Sequence, residues 1–551
     1  MGNLTKQKKR FAVYVGALLA LSYVFLFSGL GSYSLKEPDE GRYAEIPREM
    51  VESGDYTVPR LNDVRYFEKP PLLYWAVSLS YKAFGISEWS FRFPNALAAA
   101  LCVFSLFFFV RRWADDFAAF LGSLVLLSSF GFFAMARIVT TDMVLTFWLF
   151  LSLLCFYGYY RERSSPSLWG FYAAMALATL TKGPVAPVLL CATIFIFLFM
   201  ERDLAFLKEM KLIRGFALYC IIAAPWFVII SIREKEFFDF FFVDQHFLRF
   251  ISTKHKRSGP IYYFLPVIFG GMLPWSLFIP RAFARAWKRS DYRLFVIWSA
   301  LVFIFFSLSG SKLPPYVLPV FPALSLLIGA LFHENRESPF TRPWETVGNC
   351  IIMAVFALAV FLYLSPSFMG YIGSVTMDAA SIARDLVLFS LIISLSAAVC
   401  FALFLLKPFR IPKNIFAILF LFSLVVLVAI VAHSSVVDRA NTAKALAMEA
   451  KARGNEPDII VNYSALDLTL PFYLRRPVVI ASYRGELAMG SEYEDSKKYF
   501  MDQKEFLDTL GSGKKVLFVA KYKRVKNLEK QFPGHIRILK CQNDRCLLSN
   551  Y

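Results

Sequence analysis

The chain has 551 residues, of which 57% are apolar and only 18% charged, with a formal net charge of +19 and a mean hydropathy of +0.51. That is too little charge to cover a soluble protein of this size, so the composition excludes a soluble globular protein and indicates a polytopic membrane protein. The basic excess is scattered over short loops between apolar runs, as headgroups and the cytoplasmic bias of Lys and Arg require, which excludes nucleic acid as a partner.

Residues 1–10 carry Lys6, Lys8, Lys9 and Arg10 and are expected to stay in the cytoplasm. A first span follows at about 11–30, with no small-residue cleavage site behind it, and reads as an uncleaved anchor. Next comes a polar stretch, Ser34 to Leu73, denser in acids, bases and tyrosines than any other part of the chain. Residues 71–85 are apolar but short and carry Lys82; they read as an amphipathic helix lying in the interface.

Apolar segments then recur at 93–110, 117–135, 142–160, 167–181, 184–200, 214–231, 261–280, 293–308, 315–332, 344–363, 385–406 and 412–432, about 13 transmembrane helices with the first. Threaded from a cytoplasmic N-terminus, they put Arg111/Arg112, Arg161/Arg163, Arg202/Lys208/Lys211, Arg281/Arg285/Lys288/Arg289 and Lys407/Arg410/Lys413 inside. The loops 31–91 and 232–259, and every unusual polar cluster, then fall on the outer face. Residues 1–432 form the membrane domain. Residues 433–551 read as a small outer α/β domain, with a helix at 440–453, strands at 458–461 and 516–519, and a hairpin at 536–550.

Six cysteines, at 102, 155, 191, 220, 350 and 400, lie in apolar runs and read as inert packing residues. Cys541 and Cys546 flank a Q-N-D-R turn, a spacing compatible with a cross-strand disulfide in an oxidising compartment.

The polar clusters carry the chemistry. Asp39 and Arg42 share a helix face at i, i+3, behind Pro38. Alone they would be a surface ion pair, but Asp142, in T-T-D, enters the membrane from the same side. Two carboxylates converging on one outer cavity suit activation of a hydroxyl or phosphate oxygen, or metal binding. Lys69, between Glu68 and Pro70-Pro71, is a fixed cation suited to a phosphate, against the plainer alternative of interfacial snorkelling. Lys182 in T-K-G-P and Lys312 in S-K-L-P-P-Y, with Tyr316, are further outer-mouth groups. Glu68 with His246 would make half a shell for Zn²⁺ or Mn²⁺, with Mg²⁺ a third candidate. Several cations on one face fit a phosphate-bearing lipid.

The strings E-P-D-E-G-R-Y-A-E, F-E-K-P-P-L, T-T-D, T-K-G-P, D-Q-H-F-L-R-F and S-K-L-P-P-Y-V-L-P resemble the aminoarabinose transferase group, among the membrane-embedded C-type glycosyltransferases related to protein mannosyltransferases. The resemblance is dense to about residue 332 and continues in outline beyond. It implies the C-type glycosyltransferase fold, with the C-terminal domain in the periplasm. It also implies transfer of a sugar, 4-amino-4-deoxy-L-arabinose, from undecaprenyl phosphate to a lipid A phosphate. The reaction would run at the periplasmic face of the bacterial inner membrane, as a step in lipopolysaccharide modification and polymyxin resistance. By motif position it makes Asp39 and Asp142 the essential carboxylates, Lys69 a donor-phosphate ligand with Arg249 its helper, Glu68 and His246 a metal pair, and Tyr66 and Tyr316 cavity-lining residues. Arg42, Lys182 and Lys312 join that lining. The chemistry would be a single inverting displacement by a monomer. Two alternatives stand beside it: a polyprenyl-phosphate-sugar transferase acting on another glycan or a protein hydroxyl, and a lipid-phosphate transporter or flippase.

Overall fold

The computed structural model describes residues 2–248, 259–335, 348, 351, 391–432 except 401, 405 and 407–410, and 442–551 except 455, 456, 533, 534 and 543. Within them, seven helices are long and apolar enough to cross a membrane, or up to nine when two sharply bent pairs each count as one span. The two bent pairs are Asp116–Ser128 with Phe130–Arg137, at 63°, and Phe264–Gly271 with Ser276–Trp287, at 115°. Each expected span within the described residues contains a helix. Ser165–Lys182 and the 16-residue Val185–Met200 fall short of the length or apolarity of a full span. The count of 13 is therefore not reached among the described residues, and the segment 344–363 lies outside them apart from 348 and 351.

Packing between helices relies on small residues, because lipid supplies no hydrophobic drive between them. A Cβ on Gly329 would lie 2.3 Å from the Gly122 nitrogen, so the helices Asp116–Ser128 and Phe321–Glu334 meet backbone to backbone there. One end of the bundle is tied by ion pairs between segments: Arg161–Asp291 at 2.7 Å, Arg163–Glu209 at 2.8 Å, and the contacts Arg293–Glu201, Arg285–Glu334 and Arg289–Glu334. These are the loops that the charge rule places inside. The exposed cysteine 191 and half-buried Cys220 sit on apolar helices, whereas Cys102, Cys155 and Cys400 are buried.

At the opposite end the polar stretch folds into the helix Asp39–Ser53, a short hairpin of β1 (Arg60–Leu61) and β2 (Val64–Arg65), and the helix Leu72–Phe84. The last matches the expected amphipathic helix. It buries Leu73, Tyr74, Val77 and Tyr81 and leaves Leu79 and Phe84 exposed.

The C-terminal domain is a six-stranded sheet of order β5-β4-β3-β6-β8-β7, from β3 (Ile459–Tyr463), β4 (Val479–Ala481), β5 (Phe500–Met501), β6 (Val516–Lys521), β7 (Arg537–Gln542) and β8 (Arg545–Ser549). The first four strands run parallel and β7–β8 is the expected hairpin, closed by a Cys541–Cys546 disulfide. The expected helix begins at Lys444.

This domain docks on the polar stretch. The Glu37 carboxylate accepts the backbone N–H groups of Leu468 and Thr469, at 3.1 and 2.6 Å, and so caps the helix Thr469–Leu474. Asn62 exchanges two hydrogen bonds with Val478, and Lys444 pairs with Glu88 at 2.6 Å. Gly41 permits the fit: a Cβ there would lie 2.8 Å from the Thr469 nitrogen.

Candidate functional site

Between the docked domain and the bundle lies a cavity of about 450 Å³, lined by Asp39, Arg42, Glu68, Lys69, Asp142, Lys182 and Tyr316 of the expected set, together with Tyr43, Thr140, Tyr483 and Glu486. Seven residues that are scattered from 39 to 316 in the chain thus share one chamber.

Asp39 opens its helix, where a negative charge is favoured by the helix dipole, and pairs with Arg42 one turn on at 3.0 Å. The other arm of Arg42 reaches Glu486 of the C-terminal domain at 2.5 Å. Burial alone would weaken the Arg42 charge, but Tyr66, Glu486, Tyr43 and Glu68 more than reverse this and hold its pKa above the ordinary arginine value. Burial pushes the Glu486 carboxyl up, with Glu68 and Asp39 adding to the rise and Arg42 opposing it.

Asp142 is buried at the head of the helix Thr141–Glu162. Thr140 accepts the Asp142 N–H at 3.3 Å and donates its hydroxyl to the Asp142 carboxylate at 3.1 Å. The Lys182 ammonium lies 2.5 Å from Asp142 Oδ1 and 4.5 Å from the centre of the Tyr316 ring. Lys182 ends the helix Ser165–Lys182 at Gly183, whose φ of 84° lets the chain turn back at once.

Lys69 lines the chamber, its ammonium donating to the Glu68 carbonyl at 2.9 Å. The stiff Pro70-Pro71 step leads from it directly into the helix Leu72–Phe84.

Behind these groups runs a buried brace. Glu40 accepts from Arg92 at 2.9 and 2.7 Å, from the Lys36 N–H at 3.0 Å and from the Val139 N–H at 3.4 Å. Arg92 in turn donates to the carbonyls of Leu30, Tyr33 and Ser34. Asn95 donates to the carbonyls of Met135, Ala136 and Ile138, and the Tyr33 hydroxyl to that of Arg137. One network therefore holds both the segment that bears Asp39 and the turn that bears Asp142.

Two expected lining residues lie elsewhere. Tyr66 is buried behind the wall, 5.9 Å from the Arg42 guanidinium across its ring. Lys312 is buried too, its ammonium on the Ser309 carbonyl at 2.8 Å, while its neighbours Leu313, Pro315 and Tyr316 face the chamber. Position in a motif places a residue at a mouth but does not settle which side of the backbone points inward. Arg249 and the His246 side chain lie outside the described residues. Glu68 lines the chamber, and among the described residues no three His, Cys, Asp or Glu side chains gather to hold a metal ion; the expected pair of Glu68 with His246 lies partly outside those residues. Glu486, from R-G-E-L deep in the tail, has no local signal in the sequence; only the docking of the domain reveals it.

Residues 68–229 match the family model described as dolichyl-phosphate-mannose-protein mannosyltransferase, and residues 446–544 match the aminoarabinose transferase C-terminal domain. The chain is 28% identical over 516 residues, 90% of each chain, to an undecaprenyl phosphate-alpha-4-amino-4-deoxy-L-arabinose arabinosyl transferase of Yersinia enterocolitica. A protein of the same description from Aeromonas hydrophila is 34% identical over 368 residues, 63% of this chain and 66% of that one. The crystal structure of ArnT from Cupriavidus metallidurans bound to undecaprenyl phosphate superposes with a TM-score of 0.83 at 28% identity, covering 98% of both chains. The two family-model matches, the relatives and the full-length structural likeness together make this chain an ArnT-like membrane glycosyltransferase.

Proposed function

We propose that this chain transfers 4-amino-4-deoxy-L-arabinose from undecaprenyl phosphate to a phosphate of lipid A, at the periplasmic face of the bacterial inner membrane. The observation that carries the reading is the single chamber in which Arg42, Lys69 and Lys182 stand with Asp39 and Asp142. Cations of this kind suit a phosphate that leaves, and carboxylates suit the orientation of an amino sugar.

In the reaction an oxygen of the acceptor phosphate attacks the anomeric carbon. The bond from that carbon to the undecaprenyl phosphate oxygen breaks, and its electron pair departs with the phosphate. Lys69 meets the charge that develops there, in a site positioned before the reaction begins. Lys182 exchanges part of its hold on Asp142 for the same phosphate. The acceptor phosphate is already anionic, so Asp39 orients the sugar ammonium and does not need to remove a proton. The anomeric centre inverts. The chain's own residues perform each of these tasks.

A transporter would line a path across the membrane with such groups. Here they crowd one mouth, and the described spans beyond residue 390 carry charge only at Lys413, near the start of the helix Pro412–Ala432. The test is mass spectrometry of lipid A from cells that make the donor lipid, with and without this chain. Lipid A gaining the amino sugar only in its presence is the expected result. Unchanged lipid A, with the sugar found on protein or another glycan, overturns the acceptor assignment.

A further inference from the structure

The chamber has a neighbour. A second cavity, of about 870 Å³, opens on the C-terminal domain among Tyr483, Arg484, Glu492, Lys497, Asp502 and Gln503, with others. Both volumes fall in the range of roughly 300–1,000 Å³ usual for small-molecule sites. We propose that this cavity holds the phosphorylated amino-sugar headgroup of the acceptor lipid; the proposal rests on the function given above and adds to it where the acceptor sits.

Topology makes this a natural place for a ligand. β4 and β5 run parallel, and the residues that follow them, Ser482 and Asp502, both line the cavity. Open α/β sheets take their ligands outside the carboxyl ends of parallel strands, where the loops diverge. Ser482 turns at a φ of 57°, and its hydroxyl oxygen is buried with no hydrogen-bond partner among the described residues.

The wall between the two cavities is thin. Tyr483 lines both, and Gly485, Glu486, Ala488 and Met489 continue into the catalytic chamber. The Tyr483 ring folds over Gly485 so closely that a Cβ there would lie 2.4 Å from it. Tyr483 is 43% exposed, and it is an aromatic residue of the kind on which sugar rings stack.

The chemistry of the walls suits a phosphorylated amino sugar. Arg484 and Lys497 supply cations for phosphate, Gln503 a neutral amide for hydroxyls, and Glu492 a carboxylate that accepts from sugar hydroxyls or an amide N–H. Asp502 and Glu505 are turned inward on their own helix, each accepting the other's backbone N–H at 2.8–2.9 Å, which removes part of their repulsion for an anion. Lys497 pairs with Glu494 at 2.5 Å on the surface, where such a pair is weak and easily exchanged. The donor's sugar and phosphate occupy the first chamber, so an acceptor with its own saccharide must approach from beside it, past Tyr483.

The experiment uses the full-length chain in lipid nanodiscs with purified donor lipid and lipid A. The double variant Arg484→Ala/Lys497→Ala removes two exposed cations outside the catalytic chamber. It is expected to raise the KM for lipid A about tenfold, the loss that goes with one or two charge-assisted contacts, while the KM for donor and the binding of undecaprenyl phosphate stay as in wild type. Arg484→Lys restores part of the loss, and Lys514→Ala, at an exposed lysine of the same domain, changes nothing. An unchanged KM for lipid A, or equal shifts in both substrates, overturns the acceptor site and leaves the function standing. If wild type itself moves no aminoarabinose to lipid A, the function falls and the acceptor site with it.

Discussion

The ammonium of Lys182 lies 2.5 Å from Asp142 Oδ1, so the most buried acid of the chamber is already neutralised by a cation from a different helix. An incoming phosphate competes for that cation. Asp142→Asn and Asp39→Asn are each expected to leave a folded protein whose turnover falls by roughly 10²–10⁴, the usual range for a lost acid–base or positioning group. Lys182→Met leaves Asp142 buried without its partner and is expected to weaken donor binding as well. Turnover and undecaprenyl phosphate affinity, measured on monodisperse samples, check the set; full activity in both Asn variants would sink the carboxylate assignment.

Lys69 separates a substrate ligand from an interfacial anchor. A charge-assisted contact to phosphate is worth roughly 1.5–3 kcal/mol, so Lys69→Ala is expected to lower kcat/KM at least about tenfold. Lys82, exposed on the helix Leu72–Phe84 with its ammonium 4.6 Å from the centre of the Tyr56 ring, is the control and should tolerate alanine. Equal behaviour of the two variants would reduce Lys69 to an anchor.

The Glu40–Arg92 pair is buried at both ends, so removal of one partner strands the other. Arg92→Ala is expected to cost about 3–5 kcal/mol of stability. Because Glu40 also holds the Val139 N–H, three residues before Asp142, Glu40→Gln should depress kcat more than it raises the donor KM. A loss of stability with unchanged kinetics in the surviving folded fraction would make the brace purely structural.

Orientation is tested by labelling. A cysteine at Ser512, exposed on the C-terminal domain, should react in intact spheroplasts. One at Ser491, which is only 4% exposed, should react poorly from either side. Labelling at 512 only after lysis reverses the topology.

The Glu37 clasp gives a pH dependence. Burial, helped by Asp467, pushes its carboxyl up from 4.5 to about 7, against the N–H bonds from Thr469. The folded protein therefore binds more protons than the unfolded chain between these values, and stability is fully present below 4.5 and declines as pH rises through about 7. Melting temperature in detergent should fall across that window, and Glu37→Gln should flatten the fall. A rise with pH would show that the clasp is ionised throughout.

The membrane architecture and much of the chamber are legible in the sequence because ionisable groups at a membrane mouth are costly and therefore conspicuous. Asp39, Lys69, Asp142 and Lys182 are found this way. Tyr66 and Lys312 come from the same motifs yet do not line the chamber, since a motif records proximity along the chain and not the direction of a side chain. The breaks at Ser129 and between Gly271 and Ser276 lie inside runs that read as single apolar spans, which hides the bends. β4 and β5 are three and two residues long, too short to show a strand period. Glu486 depends on a contact with Arg42 across most of the chain, and nothing local marks it.

That contact has a consequence for biosynthesis. Arg42 emerges from the ribosome early and Glu486 near the end, on opposite sides of the whole membrane bundle in the order of synthesis. The chamber is closed only after the last domain has crossed the membrane, folded, and settled on Gly41 and Glu37. A nascent or truncated chain therefore has its anchors in the bilayer but an open, unfinished chamber, and the order of translation itself keeps an incomplete enzyme from spending the lipid-linked sugar.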